Sequence, residues 1–252
     1  MGLVKNPLKA RLLGTKSTSF GTWISSSSVV ALDAIRELGF DWFMIDTEHS
    51  QVDPETLAAM IAILAGRGVA PFVRVGDVDQ YLVKQALDAG AYGILAPLVS
   101  NEAQAKATVA FSKYPPRGVR GAAAAAPSRY GTGLAAYLRE ANAETLVGIQ
   151  IETREALDHL DAIASVEGLD LLFVGPQDLT LNLGLLDDRK NPKVREAMRR
   201  VVEACERHGK IPGTLLVDPE EKKAAVDLGF RFISLASDVR FLIEGARHYL
   251  QA

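Results

Sequence analysis

The chain has 252 residues, 48% of them hydrophobic and 23% charged, a globular composition long enough for one large core or two small ones. Its 28 Lys and Arg against 31 Asp and Glu leave a net charge of −3, which offers no basic surface to a polyanion and sets nucleic acid aside as a partner. A single cysteine, Cys205, excludes an intramolecular disulfide framework and a Cys-rich zinc site.

The stretch Met1 to Arg11 carries basic residues but no continuous apolar core, so it does not read as a secretory signal. No apolar run reaches membrane-spanning length, and a soluble cytoplasmic protein with no membrane partner is expected.

Short apolar runs alternate with amphipathic helical patterns along the chain. Strands are predicted at Phe20–Ile24, Trp42–Asp46, Pro71–Val75, Ile94–Leu98, Leu146–Ile151, Leu171–Val174, Gly213–Val217 and Phe232–Leu235. Helices are predicted at Val29–Leu38, Pro54–Arg67, Gln80–Ala89, Glu102–Tyr114, Arg154–Ala164, Val194–His208, Glu220–Leu228 and Val239–Tyr249. Gly39, Gly68, Gly90, Gly168, Gly209 and Gly229 stand where helices end, and Asp53-Pro54 and Asp218-Pro219 read as an N-cap followed by a first-turn proline.

Eight strand–helix units in this length have the rhythm of an α/β protein of the (β/α)8 TIM-barrel type, one domain over residues 1–252. A doubly wound open sheet is the alternative, but no Gly-x-Gly-x-x-Gly follows the first strand and no phosphate-binding P-loop is present. Pro115 to Asn142 fits the rhythm least well. Its Ala122–Ala126 run suggests helix or small-residue packing, and a long insertion between barrel strands often caps the active face.

Ligands and chemistry gather at the carboxyl ends of parallel strands, so the polar residues there matter most. The second strand ends in Asp46-Thr47-Glu48-His49. The third places Arg74 inside an apolar run, where a cation needs an anionic partner. The fifth ends with Gln150 and Glu152 on one side, by the period of two. In the sixth, Gly175-Pro176 forces a turn before Gln177 and Asp178.

Glu152 and Asp178 thus lie at the ends of adjacent strands, and two carboxylates brought together repel unless a proton or cation lies between them. With oxygen ligands and no cysteine, a hard divalent ion, Mg²⁺ or Mn²⁺, is the economical partner, with Co²⁺ or Zn²⁺ as alternatives. Asp178 could instead serve only as a helix N-cap. No lysine falls at the top of a strand, which argues against a Schiff-base aldolase.

Asp46-Thr47-Glu48-His49-Ser50, Val73-Arg74-Val75, Tyr114-Pro115-Pro116-Arg117-Gly118-Val119-Arg120-Gly121, Gln150-Ile151-Glu152-Thr153 and Gly175-Pro176-Gln177-Asp178-Leu179 together resemble the HpcH/HpaI aldolases. These are metal-dependent pyruvate aldolases typified by 4-hydroxy-2-oxoheptanedioate aldolase, and the motifs follow the family's order over nearly the whole chain. The resemblance implies a (β/α)8 barrel whose last helix packs on a neighbouring subunit, in a homo-oligomer that is commonly a hexamer built from dimers. It implies that Glu152 and Asp178 hold the metal, which chelates pyruvate through its carboxylate and keto oxygen. Arg74 would stabilise the enolate oxygen. His49, oriented by Asp46, would be the general base, acting through a metal-bound water. Glu48 would order water around the ion, and Gln150 would hydrogen-bond near the keto acid. The amides after Gly175-Pro176, at Gln177, would receive the substrate carboxylate.

Two places depart from the family pattern, Gln51 where proline is usual and the loop after Gly121 (residues 121–133), both on the side of the aldehyde acceptor. The substrates implied are a 2-oxo acid, pyruvate or a hydroxypyruvate-like donor, and an aldehyde. The related carbon–carbon lyases that act on CoA thioesters, of the citrate lyase and malyl-CoA lyase type, are the rival class. They would need a basic groove for the CoA phosphates.

Overall fold

Alternation with a period of two divides the side chains of each apolar run between two cores. The computed structural model describes residues 5–15, 17–65, 68–186 and 188–251; Lys16 and the expected helix end at Arg67 lie outside them. Eight parallel strands, β1 (Ser19–Ile24), β2 (Trp42–Asp46), β3 (Ala70–Arg74), β4 (Gly93–Ala96), β5 (Leu146–Ile151), β6 (Leu171–Val174), β7 (Ile211–Leu216) and β8 (Phe232–Ser237), pair in sequence order. β8 returns to β1, with Ser19 opposite Phe232, and closes the barrel. Closure decides for the (β/α)8 barrel over the open sheet.

The helices are α1 (Pro7–Gly14), α2 (Val29–Ile35), α3 (Pro54–Ala65), α4 (Gln80–Ala89), α5 (Glu102–Ser112), α6 (Leu134–Glu144), α7 (Arg154–Asp158), α8 (Leu160–Ala164), α9 (Pro176–Asn182), α10 (Pro192–His208), α11 (Glu221–Leu228) and α12 (Asp238–Gln251). All six glycines expected at helix ends have positive φ, from 65° at Gly209 to 110° at Gly229, the conformation glycine reaches without a Cβ clash. Asp53 caps α3 by accepting from the Glu55 and Thr56 amides.

Inward-facing Trp23, Trp42, Met44, Phe72, Leu95, Phe173 and Phe232 fill the barrel interior, while the outward set from Phe43, Ile45 and Val73 round to Ile233 packs against the helices. Room for the aromatics comes from glycines: a Cβ on Gly21 would lie 2.0 Å from the Trp42 ring. Trp42 in turn stacks on Phe232 with centroids 3.8 Å apart. The same alternation that turns Trp42, Phe72, Gly148 and Phe173 inward carries Asp46, Arg74, Gln150, Glu152 and Gly175 to the inward side at the carboxyl rim.

Several elements differ from expectation. The predicted helix Arg154–Ala164 is interrupted at His159 into α7 and α8. Ala122–Ala126 is largely exposed and not α-helical; only its last residue begins a 3-10 turn, Ala126–Ser128. The insertion instead holds its helix later, as α6. Buried Arg120 ties it to the body by donating to Tyr137 Oη at 3.1 Å and Asp88 Oδ1 at 2.6 Å. Cys205 is buried, and burial pushes its thiol up, so it is an inert packing residue. No helix among the described residues is long and apolar enough to cross a membrane.

α1 was not legible as a helix, yet its Leu8 and Leu12 plug the amino end of the barrel. Beside it Lys9 Nζ donates to Asp170 Oδ2 at 2.9 Å and to the Thr145 carbonyl at 2.8 Å. Lys113 Nζ donates to the Asn142 and Thr145 carbonyls, both at 2.8 Å. Burial, and then the neighbouring Lys9 charge, pull the Lys113 ammonium down to about 7. Because this folded value lies below the ordinary lysine value, the unfolded chain holds more protons between about pH 7 and 10.5, and stability rises with pH across that window. Between pH 7 and 9 the wild-type melting temperature is therefore expected to gain about 3 °C or more relative to Lys113→Met. Parallel melting profiles for the two proteins would show that Lys113 titrates as an ordinary lysine.

Candidate active site

β2 and β3 are in register so that Asp46 stands directly opposite Arg74. Their side chains meet at the rim: Arg74 Nε donates to Asp46 Oδ1 at 2.9 Å and Nη2 to Oδ2 at 2.7 Å. Such a two-point, charge-assisted pair fixes the plane of the guanidinium. Trp23 lies against it with the ring centroid 4.4 Å from Cζ. The remaining nitrogen, Nη1, points at Glu48 Oε2 (2.9 Å) and Gln150 Oε1 (3.4 Å). The Glu48 contact is an ion pair without hydrogen-bond alignment, so the buried Oε2 has no hydrogen-bond donor.

Asp46 also accepts from the backbone amides of Glu48 (3.0 Å) and His49 (3.4 Å). It thus holds His49 through the main chain, and Arg74 occupies both of its oxygens. The His49 imidazole is two-thirds exposed, and its Nε2 lies 3.6 Å from Glu48 Oε1. The link from Asp46 to His49, expected as one that orients the histidine, runs through the His49 amide and not through its ring.

Gln150 and Glu152 leave β5 on the same side, and Gln150 Nε2 donates to Glu152 Oε2 at 2.7 Å. The Leu98 amide donates to Glu152 Oε1 at 2.8 Å. Leu98 has φ of 52°, a left-handed conformation uncommon for leucine, and it is in this conformation that its N–H reaches the carboxylate. Glu152 is 3% exposed, and burial, with Asp178 and Glu48 adding repulsion, pushes its carboxyl up to about 7. Glu48 is also raised, by burial first and then by Asp46 and Asp178, against the lowering pull of Arg74. Among the described residues no donor hydrogen-bonds the Asp178 carboxylate, which lines the cavity at the first turn of α9.

Glu48, Glu152 and Asp178 therefore face one region with more negative charge than Arg74 alone offsets. A Cβ on Gly175 would fall 2.4 Å from Glu152 Oε2, so glycine there keeps the space beside that oxygen open. These residues suit a hard cation: Glu152 and Asp178 as oxygen ligands, the orphaned Glu48 oxygen nearby, and open positions for water or a chelating substrate. Among the described residues no three Asp, Glu, His or Cys side chains are grouped so that they could hold a metal ion, and the fit rests on the two carboxylates Glu152 and Asp178.

A cavity of about 310 Å³ is lined by Asp46, Arg74, Gln150, Gly175, Pro176, Gln177 and Asp178 of the expected set, while Glu48, His49 and Glu152 are not among its lining residues. It is lined also by residues that sequence reasoning missed. Trp23, Phe173 and Leu215 carry the same signature as core residues, Ser25 and Val217 follow the ends of β1 and β7, Ala236 and Ser237 end β8, and Arg240 lies in the first turn of α12. Among the described residues, none of the 115–142 insertion lines it, and neither does any lysine.

The HpcH/HpaI aldolase/citrate lyase family model matches residues 19–245. The chain is 38% identical over 261 residues to a hydroxypyruvate/pyruvate aldolase of Paraburkholderia phytofirmans, covering 100% of this chain and 98% of that one. It is 33% identical over 235 residues to a 5-keto-4-deoxy-D-glucarate aldolase of Escherichia coli, covering 93% and 91%. A crystal structure of an HpcH/HpaI aldolase/citrate lyase family protein from Burkholderia cenocepacia superposes with a TM-score of 0.94 at 34% identity and covers 98% of both chains. With its closed barrel and its rim of acidic residues around Arg74, the chain belongs to the HpcH/HpaI aldolase/citrate lyase family of carbon–carbon lyases.

Proposed function

We propose that the protein is a divalent-metal-dependent aldolase that cleaves a 4-hydroxy-2-oxo acid to a 2-oxo acid, pyruvate or hydroxypyruvate, and an aldehyde. The observation that carries this is the buried Glu152 carboxylate, raised to about 7 by burial and by the repulsion of Asp178 and Glu48, beside an Asp178 carboxylate that no described donor hydrogen-bonds. Held by Glu152 and Asp178, Mg²⁺ or Mn²⁺ would supply Lewis-acid polarisation of the 2-oxo acid.

The chain's own residues divide the remaining work. Arg74, locked by Asp46, presents a fixed positive charge to the oxygen on which negative charge grows as the C3–C4 bond breaks. Gln150, held between Arg74 and Glu152, is placed to hydrogen-bond the keto acid. The amides of Gln177 and Asp178, two cavity-lining residues in the first turn of α9, receive the substrate carboxylate. His49 at the exposed rim, its Nε2 3.6 Å from Glu48 Oε1, takes the proton from the 4-hydroxyl as the aldehyde leaves. The cavity's two cations, Arg74 and Arg240, fall short of the cluster that CoA phosphates require, which favours a free acid over a thioester.

α12 leaves Leu242, Ile243, Tyr249 and Leu250 exposed, in keeping with a last helix that packs on a neighbouring copy in a homo-oligomer, a hexamer built from dimers by resemblance to the family.

The test is pyruvate release from a panel of 4-hydroxy-2-oxo acids, with and without EDTA and with borohydride. Release that stops on chelation and resists borohydride is expected; the reverse pattern removes the metal mechanism. His49→Ala is expected to lower turnover about 100-fold or more while sparing Mn²⁺ binding. Wild-type turnover in that variant would take His49 out of the proton transfer.

A further inference from the structure

The cavity holds two arginines in opposite circumstances. Arg74 is engaged through all three of its nitrogens, by hydrogen bonds to Asp46 and Gln150 and an ion pair with Glu48. Arg240, in the first turn of α12 and three strands round the barrel from β3, is paired only through Nε, to Glu244 Oε1 at 2.6 Å. No other described residue takes a hydrogen bond or ion pair from its two terminal nitrogens. The backbone beneath it is firmly placed: Asp238 is 2% exposed and accepts from the Ser25 (2.9 Å) and Ser26 (3.2 Å) amides, which ties the start of α12 to the turn after β1. The Arg240 amide meets Ser237 Oγ at 3.3 Å. Glu244, one helical turn on, steadies the side chain and leaves the guanidinium fork available to the cavity that Arg240 lines.

A planar, always-charged fork with its ends unused matches a carboxylate. With a cation and the keto acid assigned to the Arg74 and Asp178 side of the cavity, the partner left for Arg240 is the aldehyde. We propose that Arg240 is a specificity-determining residue that selects aldehyde acceptors bearing a carboxylate, a conclusion that rests on the aldolase function above and goes further by naming the acceptor class.

The experiment compares pyruvate condensation with matched aldehydes, glyoxylate against acetaldehyde and succinic semialdehyde against butanal, in wild type, Arg240→Met and Arg240→Lys. The expected result is that the ratio of kcat/KM for the charged over the neutral partner falls tenfold or more in Arg240→Met, through KM, in at least one pair. Arg240→Lys should recover part of it, since charge returns without the fork. Glyceraldehyde 3-phosphate against glyceraldehyde is the control for phosphate; a loss confined to that pair overturns selection of carboxylates. A ratio that moves less than tenfold in both pairs, as when the two aldehydes of a pair decline together, overturns it as well. A wild-type enzyme inert toward every aldehyde, and unable to exchange the methyl protons of pyruvate with solvent, overturns the aldolase function itself. Exchange without any preference for charged acceptors overturns only the assignment of Arg240.

Discussion

Arg74→Met is expected to lower kcat/KM for aldol cleavage about 1,000-fold or more, about 4 kcal/mol of transition-state stabilisation. The guanidinium is the one buried cation against Asp46, Glu48 and, through Gln150, Glu152. Its loss removes the fixed charge aimed at the developing oxyanion and also strands Asp46, which is 2% exposed. Breaking a buried pair from one side costs about 3–5 kcal/mol of stability, so the melting temperature should fall with the activity. Arg74→Lys separates the two effects. It restores a charge near Asp46 but not the two-point grip or the plane lying on Trp23, so it should regain most of the stability and little of the rate. Turnover within tenfold of wild type in Arg74→Met, measured by pyruvate release, would show that the arginine is a structural counter-ion alone.

Glu152→Gln is expected to weaken Mn²⁺ binding about 100-fold or more in calorimetric titration and to abolish metal-dependent cleavage. The substitution keeps the shape and an acceptor for the Leu98 amide but removes the charge that a hard cation requires. It also removes a carboxylate whose ionisation is opposed by burial and by Asp178 and Glu48, so the metal-free variant should melt no lower than wild type at pH 8. In the wild type, a proton competes with the cation at Glu152 below about pH 7. Apparent Mn²⁺ affinity should therefore fall roughly tenfold per unit as the pH drops below that value, and this dependence should be absent from the variant. Wild-type affinity in Glu152→Gln would remove the residue from the metal site.

The barrel was legible because its signals are local. β2, β5 and β6 have the expected bounds, since apolar runs closed by polar groups declare themselves. The helix ends were legible through glycines that only positive φ explains. α1, α6 and α9 escaped for a physical reason: none shows a long amphipathic stripe. α9 is seven residues opened by Gly-Pro, while α1 buries Leu8, Lys9 and Leu12 in a mostly exposed segment. The Ala122–Ala126 run pointed the wrong way, because helix propensity is a weak prior on a largely exposed segment.

Alternation along each strand determined from sequence alone that Asp46, Arg74, Gln150 and Glu152 reach the same rim, because period two is intrinsic to an extended chain. Which of them touch was decided by closure of the barrel. Register placed Asp46 opposite Arg74, so the carboxylate grips the guanidinium and reaches His49 only through its amide. The fold likewise brought Leu98's amide to Glu152 and Arg240 into the cavity. Those contacts join residues tens to hundreds of positions apart, and no local pattern encodes a distance that only a closed sheet creates.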